Sequence, residues 1–377
     1  PNTMGDAAVM TAAEVQGLVA RTLPSFYTSS PRFFQSISDH DLALLLPILI
    51  YWGASLAYHA LDVIRPAWSE KYRLHAPEEL EKRNRVSMKR VIAMVAFQHA
   101  IQTALGIAIM EDTPATKTRR LDADPFTDIP ALVQTMRSLH LPLYDSVLVR
   151  AAIALYWWGI PWLQFWFACF VLDAWQYMLH RTMHEVRFLY RTMHSHHHRL
   201  YVPYAFGALY NHPLEGMLLD TLGAELARVV SRMTLRQTMV FFTLSTFKTV
   251  CDHGGYAFPW YFNPIHALFP NNAAYHDVHH QTQGLRYNYS QPFFVHFDTI
   301  LGTRVDPEDF HTMLEKKGLQ TRKVASAKND NEAEEENARP ARLPVPKRSS
   351  PYSTATVWSS VLFMGILAVP VLVYSVV

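Results

Sequence analysis

Four long apolar stretches constrain the fold of this 377-residue chain more than any other feature of its sequence. A helix needs about 20 mainly apolar residues to cross a hydrocarbon core roughly 30 Å thick. The stretches that reach this length are 42–64, 91–110, 147–177 and 357–377. The third stretch could form one tilted span or a helical hairpin broken near Gly159 and Pro161. Segment 238–250 is too short to cross the membrane alone, so we consider it half of a re-entrant pair with 214–230.

The orientation of these segments can be inferred from the basic residues between the first two stretches. Segment 65–90 contains Arg65, Lys71, Arg73, Lys82, Arg83, Arg85, Lys89 and Arg90. The positive-inside rule places this loop in the cytosol. The N-terminus is then lumenal, and the third stretch, if it crosses once, delivers His180 and the residues after it to the cytosol. Three basic residues in the opposite loop, Lys117, Arg119 and Arg120, argue against this assignment.

Composition divides the chain into five parts. Residues 1–40 are a polar lead with a weakly amphipathic stretch at 12–23, and 41–172 are the transmembrane region, with the basic loop 65–90 and a surface helix at 128–139. Residues 173–306, rich in His, Tyr, Phe, Pro and Gly, are the predicted catalytic block. Residues 316–352 are a linker of disordered composition, and 357–377 are a C-terminal membrane segment. The two cysteines, Cys169 and Cys251, give no disulfide framework.

Nine histidines within the catalytic block are the strongest chemical signal. Three groups have the spacings H-x3-H, H-x2-H-H and H-x2-H-H, and one further histidine lies between the last two groups. The nine are His180 and His184; His194, His197 and His198; His253; and His276, His279 and His280. Imidazole is the commonest protein ligand for zinc, copper, iron and nickel, and eight or more rings exceed what one tetrahedral ion uses. We therefore predict two metal ions.

Helical spacing supports this interpretation, because residues four apart share one face of a helix. We expect His194, His197 and His198 to share a face, and the triplet His276, His279 and His280 to repeat that arrangement. A single histidine pair would be weak evidence for a metal site. The alternatives are histidines at the membrane interface or an unstructured metal-scavenging loop. Those loops lack ordered spacing, so a folded site is favoured.

Several neighbours of these histidines remain open on sequence grounds. His196 and His212 are equally compatible with ligand and structural roles, whereas isolated histidines such as His311 are expected to be structural or exposed. We expect three acidic residues to accept hydrogen bonds from ligand rings, and these are Asp173, Asp252 and Asp277. The chain has no H-E-x-x-H motif and lacks the two Glu-x-x-His motifs of soluble di-iron proteins. A histidine-held metal pair in a membrane protein instead suits oxygen-activating iron.

The segments around these histidines resemble the fatty acid hydroxylase superfamily, the histidine-box membrane di-iron oxygenases. The resemblance covers about 172–304 and rests on L-D-A-W-Q-Y-M-L-H-R-T-M-H, Y-N-H-P-L-E-G, D-H-G-G-Y-A-F-P-W and F-P-N-N-A-A-Y-H-D-V-H-H-Q. Within the superfamily these stretches are most similar to the fungal sphingolipid C4-hydroxylases. The resemblance implies that the nine histidines bind two iron ions, with His212 a possible further ligand. Apolar length and helical periodicity predict an all-α integral membrane protein with four to six membrane-embedded helices, in which a cytosolic helical cap carries the dimetal site.

The implied reaction is O2-dependent hydroxylation of sphinganine or dihydroceramide at C4, which gives phytosphingosine or phytoceramide. The chain has no flavin, nicotinamide or haem motif, so the resemblance implies electrons from external cytochrome b5 and an NAD(P)H-dependent reductase. It implies a multi-pass protein of the endoplasmic reticulum membrane with the site facing the cytosol. We expect contacts with membrane lipids and no nucleic-acid partner. Aromatic residues are candidates for an apolar tunnel: Trp157, Trp158, Trp162, Phe165, Tyr177, Tyr204, Phe206 and Tyr210.

Three other functions remain open on the sequence alone. Sister activities of the same superfamily are sterol C5-desaturation, sterol C4-methyl oxidation and fatty-acyl 2-hydroxylation, which box spacing does not separate. A membrane metal transporter or sensor would need polar residues within the spans, and the first two contain few, among them His59, Asp62, His99 and Gln102. A zinc hydrolase that acts on lipids is the third possibility.

Overall fold

The computed structural model describes residues 9–30, 32–110 and 124–316, and these residues form an all-helical protein. Within them there is no β-strand, only two isolated bridges, Phe34 with Ile37 and Arg73 with Tyr256. The helices are α1 (Ala12–Arg21), α2 (Asp39–Ile64), α3 (Ala67–Glu70), α4 (Pro77–Arg83), α5 (Met88–Met110), α6 (Pro125–Ser138), α7 (Asp145–Glu185), α8 (Arg187–Thr192), α9 (Pro213–Val230), α10 (Leu235–Asp252), α11 (Ile265–Leu268), α12 (Ala273–His280), α13 (His296–Leu301) and α14 (Pro307–Lys316). Two 3₁₀ turns, His194–Arg199 and Ala205–Gly207, complete the described elements.

Three of these helices are long and apolar enough to cross a membrane, namely α2, α5 and α7. They confirm the first three predicted apolar stretches as helices. Between 22 and 33% of each apolar window is buried within the protein, so most of each window presents apolar side chains outward. Such a surface suits lipid contact. The predicted segments 316–352 and 357–377 lie outside the described residues, apart from Lys316.

Helix α7 is a single helix of 41 residues, and the hairpin considered near Gly159 and Pro161 is wrong. One π-helical turn, Leu155–Gly159, adds a residue to the helix without ending it. At 1.5 Å per residue the helix is about 60 Å long, roughly twice the thickness of a hydrocarbon core. About half of the helix therefore lies outside a single hydrocarbon core, and its last two turns carry His180 and His184.

The predicted re-entrant pair forms two helices that pack mainly against different partners. Helix α9 contains a π-helical turn, Met217–Leu222, and packs against α7, whereas α10 packs along α2. Helix α10 begins with a capping box in which Thr234 accepts from the backbone N–H of Gln237. Neither helix is among the three candidate spans.

Segments that were predicted to lie on one side of the membrane contact each other. Helices α1, α6 and the first turns of α7 share an apolar cluster, and Arg137 on α6 forms an ion pair with Asp145 at 2.7 Å. At the other end, the basic loop 65–90 is hydrogen-bonded to the histidine-rich block, from Arg85 N to Arg199 O at 2.9 Å and from Leu74 N to Gly255 O at 3.0 Å. The loop and the histidines therefore occupy the same end of the protein.

Candidate metal centre

All nine predicted histidines converge in two groups at the end of α7. The first group contains His180, His184, His194, His198 and His279, and the second contains His197, His253, His276 and His280. Within each group one ligand nitrogen per residue lies within 4.8 Å of all the others. Eight of the nine residues are buried and His184 is half-buried. We call these the five-histidine group and the four-histidine group.

The two H-x2-H-H triplets do not each serve one group, which corrects the expectation of a shared face. In both triplets the first and last histidines stay together, and the i+3 histidine joins the other group. The ring centroids of His276 and His280 are 4.7 Å apart, whereas those of His276 and His279 are 5.9 Å apart. The first triplet lies on a 3₁₀ turn instead of an α-helix, and His197 crosses to the four-histidine group. Each triplet thereby contributes histidines to both groups.

Backbone carbonyls, not the predicted aspartates, orient most of the rings. The Nδ1–H groups that donate to carbonyl oxygens are those of His180 to Tyr289 (2.8 Å), His197 to Tyr210 (3.2 Å), His253 to Thr249 (2.9 Å), His279 to Tyr287 (2.7 Å) and His280 to Leu200 (2.8 Å). Since a carbonyl only accepts, each of these rings has its lone pair on Nε2. These carbonyl contacts therefore fix the tautomer in which Nε2 is free to bind a metal ion.

The three aspartates have other partners, so their predicted role was wrong. Asp173 accepts from the backbone N–H groups of Phe293 and Phe294. Asp252 pairs with the buried ammonium of Lys248 at 2.6 Å, and Asp277 pairs with His75 at 2.8 Å. Lys248 also donates to the carbonyl of Pro292. These aspartates hold the backbone around the histidines without contacting the nine rings.

The nitrogen atoms inside each group fit a bound cation. In the five-histidine group the Nε2 atoms of His180 and His198 both lie 3.0 Å from that of His194. In the four-histidine group the Nε2 atom of His276 lies 3.0 Å from those of His253 and His280. Unprotonated nitrogens this close repel one another unless a cation lies between them. Separations of 3.0 Å also match ligands at about right angles with metal–nitrogen bonds of roughly 2.1 Å.

Burial keeps the ligand rings outside the spans neutral, as metal binding requires. Burial, with the neighbouring imidazoles, lowers the pKa well below its usual range in five of them: His197, His198, His276, His279 and His280. Burial lowers the pKa of His253 to about 4. At neutral pH these rings are therefore unprotonated and available as ligands.

One carboxylate that the sequence analysis did not single out holds a ligand ring. Glu215 Oε1 lies 2.5 Å from His194 Nδ1, and Glu215 is fully buried. A carboxylate acceptor raises the basicity of a metal-bound imidazole and fixes its orientation. A sequence signal existed, because Glu215 is the only acidic residue between Glu185 and Asp220. A lone acidic residue in an apolar, aromatic stretch needs a partner.

His212 and His196 lie outside both groups. His212 is the N-cap of α9, where its Nδ1 accepts from the backbone N–H of Leu214 at 3.3 Å. The ring of His196 lies 5.6 Å from that of His212, and its Nδ1 contacts the carbonyl oxygen of Met193. The geometry thus brings nine of the ten candidate ligands together and leaves His212 apart. His311 is exposed on α14.

A cavity leads from the membrane helices to the histidines. The space in it that a water-sized molecule can occupy is about 150 Å³, and its walls include Leu44, Pro47 and Ile48 on α2 and Phe242 on α10. A second, much smaller cavity of about 20 Å³ by the same measure lies against the histidines and includes His194, His197, His253 and His276. Both are lined by Gln176, Asp220, Thr249 and Pro292, so the two spaces adjoin. An apolar chamber therefore opens onto the candidate metal centre.

None of the eight aromatic residues predicted to form a tunnel lines this chamber, although the structure describes all of them. Tyr204, Phe206 and Tyr210 are buried in the main apolar core. Trp158 is 64% exposed on the outer surface of α7, as expected for a residue at a bilayer edge. The predicted tunnel position was wrong for these residues.

Comparison with known proteins identifies relatives that are similar to this chain over most of its length. The Fatty acid hydroxylase family model matches residues 165–303, close to the predicted range. A sphingolipid C4-hydroxylase of Schizosaccharomyces pombe is 42% identical over 297 residues, which cover 77% of this chain and 95% of the relative. Sphinganine C4-monooxygenase 2 of Arabidopsis thaliana is 41% identical over 297 residues, covering 78% and 98%. A very-long-chain aldehyde decarbonylase of Oryza sativa subsp. indica is 41% identical over 269 residues, covering 71% and 90%.

No solved structure matches the chain. The family-model match coincides with the histidine-rich block, and the family is iron-dependent. The two histidine groups, which fit a cation, agree with that dependence. The chain belongs to the fatty acid hydroxylase family.

Proposed function

We propose that this protein is a membrane monooxygenase that hydroxylates sphinganine or dihydroceramide at C4, using two iron ions held by the nine histidines. The observation that carries the chemistry is the pair of histidine groups at the inner end of an apolar chamber. The names of the fission yeast and Arabidopsis relatives support the substrate. The products are phytosphingosine or phytoceramide.

Iron, when bound, supplies the oxygen-activating chemistry that functionalises an unactivated C–H bond. The protein supplies the rest. Carbonyl acceptors hold the ring nitrogens in one tautomer, and Glu215 holds His194. The chamber accepts an alkyl chain between α2, α5 and α10, while its junction with the second cavity places one carbon of that chain beside the histidines. Burial of the histidines excludes bulk water from this point.

Electrons are supplied from outside this chain in our proposal, by cytochrome b5 and its NAD(P)H-dependent reductase. The basic loop 65–90 lies beside the histidine-rich block and is suited to an acidic partner or to anionic lipid headgroups. Arg85 is exposed and its backbone is bound to that of Arg199. Because the basic loop and the site share one end of the protein, the positive-inside rule supports a cytosolic site in the endoplasmic reticulum membrane.

A second candidate is oxygen-dependent chemistry on a long-chain aldehyde. The rice relative with that name is as similar in sequence as the hydroxylases. Both reactions would use an apolar chamber beside the same histidines, so the substrate distinguishes them. Sterol oxidation and fatty-acyl 2-hydroxylation are tested by the same experiment. The first two spans contain few polar residues, which does not support a metal transporter.

The decisive experiment is expression in cells that lack phytosphingosine, followed by mass spectrometry of long-chain bases, fatty acyl chains, sterols and alkanes. We expect 4-hydroxylated bases to appear. Abundant, membrane-inserted protein without this product would refute the substrate assignment, and alkane formation would favour the aldehyde reaction. His279→Ala should abolish the product without preventing membrane insertion. The matched control is His311→Ala, which changes an exposed histidine and should keep turnover near that of the wild type.

A further inference from the structure

A half-buried carboxylate lies at the junction between the apolar chamber and the histidines. Asp220, on the π-helical turn of α9, lines both cavities. Its Oδ2 atom is shielded from solvent and has no hydrogen-bond partner. A buried acceptor of this kind is costly unless something else binds it. Asp220 therefore has one oxygen available for a ligand in the cavity.

A second unpaired oxygen lies close by. Glu215 uses Oε1 to hold His194, while its Oε2 is buried without a partner, and Glu215 lines the cavity next to the histidines. Burial, with the nearby Glu215, raises the pKa of Asp220 to about 7. Two carboxyl groups with buried, free oxygens favour a cation between them. Glu225, which also lines the chamber, differs because Arg228 already neutralises it at 2.7 Å.

The proposed substrate has a cation at the right place in its covalent structure. In sphinganine the reacting carbon, C4, is two bonds from C2, which carries the amino group. A base whose C4 lies beside the histidines, with its alkyl chain in the apolar chamber, brings its nitrogen within a few ångströms of the same junction. Asp220 lies on the wall that the two cavities share. The alkyl chain is then held by Leu44, Ile48 and Phe242.

We propose that Asp220 binds the ammonium group of a free long-chain base and so makes this protein selective for the free base over its N-acylated form. This inference rests on the proposed C4-hydroxylase function. An N-acylated base has an uncharged amide at the same position. It loses the charge-assisted hydrogen bond, which is the stronger kind, and its acyl group must also be placed beside Asp220.

The test compares two ligands that share the same alkyl chain and hydroxyl groups. Sphinganine and N-acetylsphinganine compete with radiolabelled sphinganine for the full-length, iron-loaded protein in detergent micelles without oxygen, so that no turnover occurs. We expect the wild type to bind sphinganine about 10 to 100 times more tightly, the range for one hydrogen bond to a charged group. Asp220→Asn, which keeps the shape and removes the charge, should bring the ratio of the two dissociation constants close to one.

Glu225→Gln is the matched control, since it removes a carboxylate from the same chamber that is already paired with Arg228. It should leave the ratio as in the wild type. Asp220→Glu should retain much of the preference because it keeps the charge. Asp220→Ser provides the neutral variant if the Asn protein does not fold.

Two results would overturn the inference: equal binding of both ligands by the wild type, or an unchanged ratio in the neutral variants. Turnover separates this failure from failure of the proposed function. If the wild type forms 4-hydroxysphinganine and the ratio does not change, only the role of Asp220 is wrong. If no 4-hydroxylated product forms from either ligand, the C4-hydroxylase function fails, and the inference fails with it.

Discussion

Replacing Glu215 by Gln tests whether the two histidine groups bind metal independently. Glu215 contacts His194 at 2.5 Å, and both side chains are almost fully buried, at 0 and 2% exposure. Loss of a hydrogen-bonding partner behind a metal ligand typically weakens metal binding by 10–100-fold, which is about 1.4–2.7 kcal/mol. A short contact in a dry site belongs at the upper end of that range. Since His194 belongs to the five-histidine group, the loss should fall on that group alone.

The assay is iron per chain by mass spectrometry after equilibration of the purified protein with increasing chelator. The wild type should lose its two ions over one range of chelator concentration if the groups bind equally well. Glu215→Gln should lose one ion at roughly 100-fold lower chelator and the other ion as in the wild type. Glu185→Gln is the control, because Glu185 is near His184 in sequence but pairs with Arg181 at the surface. Equal weakening of both ions, or of neither, would refute the reasoning.

Two further predictions concern the site and the basic loop. The double variant His276→Ala/His280→Ala removes two ligands of the four-histidine group and should leave one iron ion bound. The double variant His279→Ala/His280→Ala removes one ligand from each group and should weaken the binding of both ions. Identical chelator titrations for the two variants would contradict the division of each triplet between the two groups. Burial opposes protonation of His75, but Asp277 and Glu79 raise its pKa to about 9. The protonated ring therefore contributes at most about 3 kcal/mol to the free energy of unfolding. This contribution is complete below pH 6.5 and is lost as the pH rises through 9. The difference in thermal midpoint between wild type and His75→Gln should therefore shrink between pH 7 and 9.5, and a constant difference would show that the pair is unimportant.

The convergence of the nine histidines was predictable from sequence, but their division between two groups was not. Spacing identifies a shared helical face, and this is correct for His180 with His184 and for His276 with His280. The position of the i+3 histidines depends on the tertiary structure. His180 is oriented by the carbonyl of Tyr289, which is 109 residues away, and His280 by that of Leu200, 80 residues away. No local pattern reports such partners.

The long helices were equally predictable, whereas the lining of the chamber was not. Apolar length identified α2, α5 and α7 because crossing a bilayer demands it. The tunnel prediction chose bulky aromatic residues, but large buried rings fill space and pack into the core. The chamber is instead lined by side chains of very different size, from Ala43 and Ala224 to Leu44 and Phe242. Its position is a property of how the helices fit together.

The π-helical turn of α9 links these observations. In an α-helix, residues five apart point in different directions, whereas a π-helical turn closes its hydrogen bond between residues i and i+5 and brings such residues to the same side. Glu215 and Asp220 are five apart, and the turn Met217–Leu222 begins after Glu215 and includes Asp220. Both carboxyl groups consequently reach the cavity wall beside the histidines, one to hold His194 and the other with a free oxygen. A regular helix would direct one of them away, so this local irregularity couples metal binding to the proposed recognition of the substrate amine.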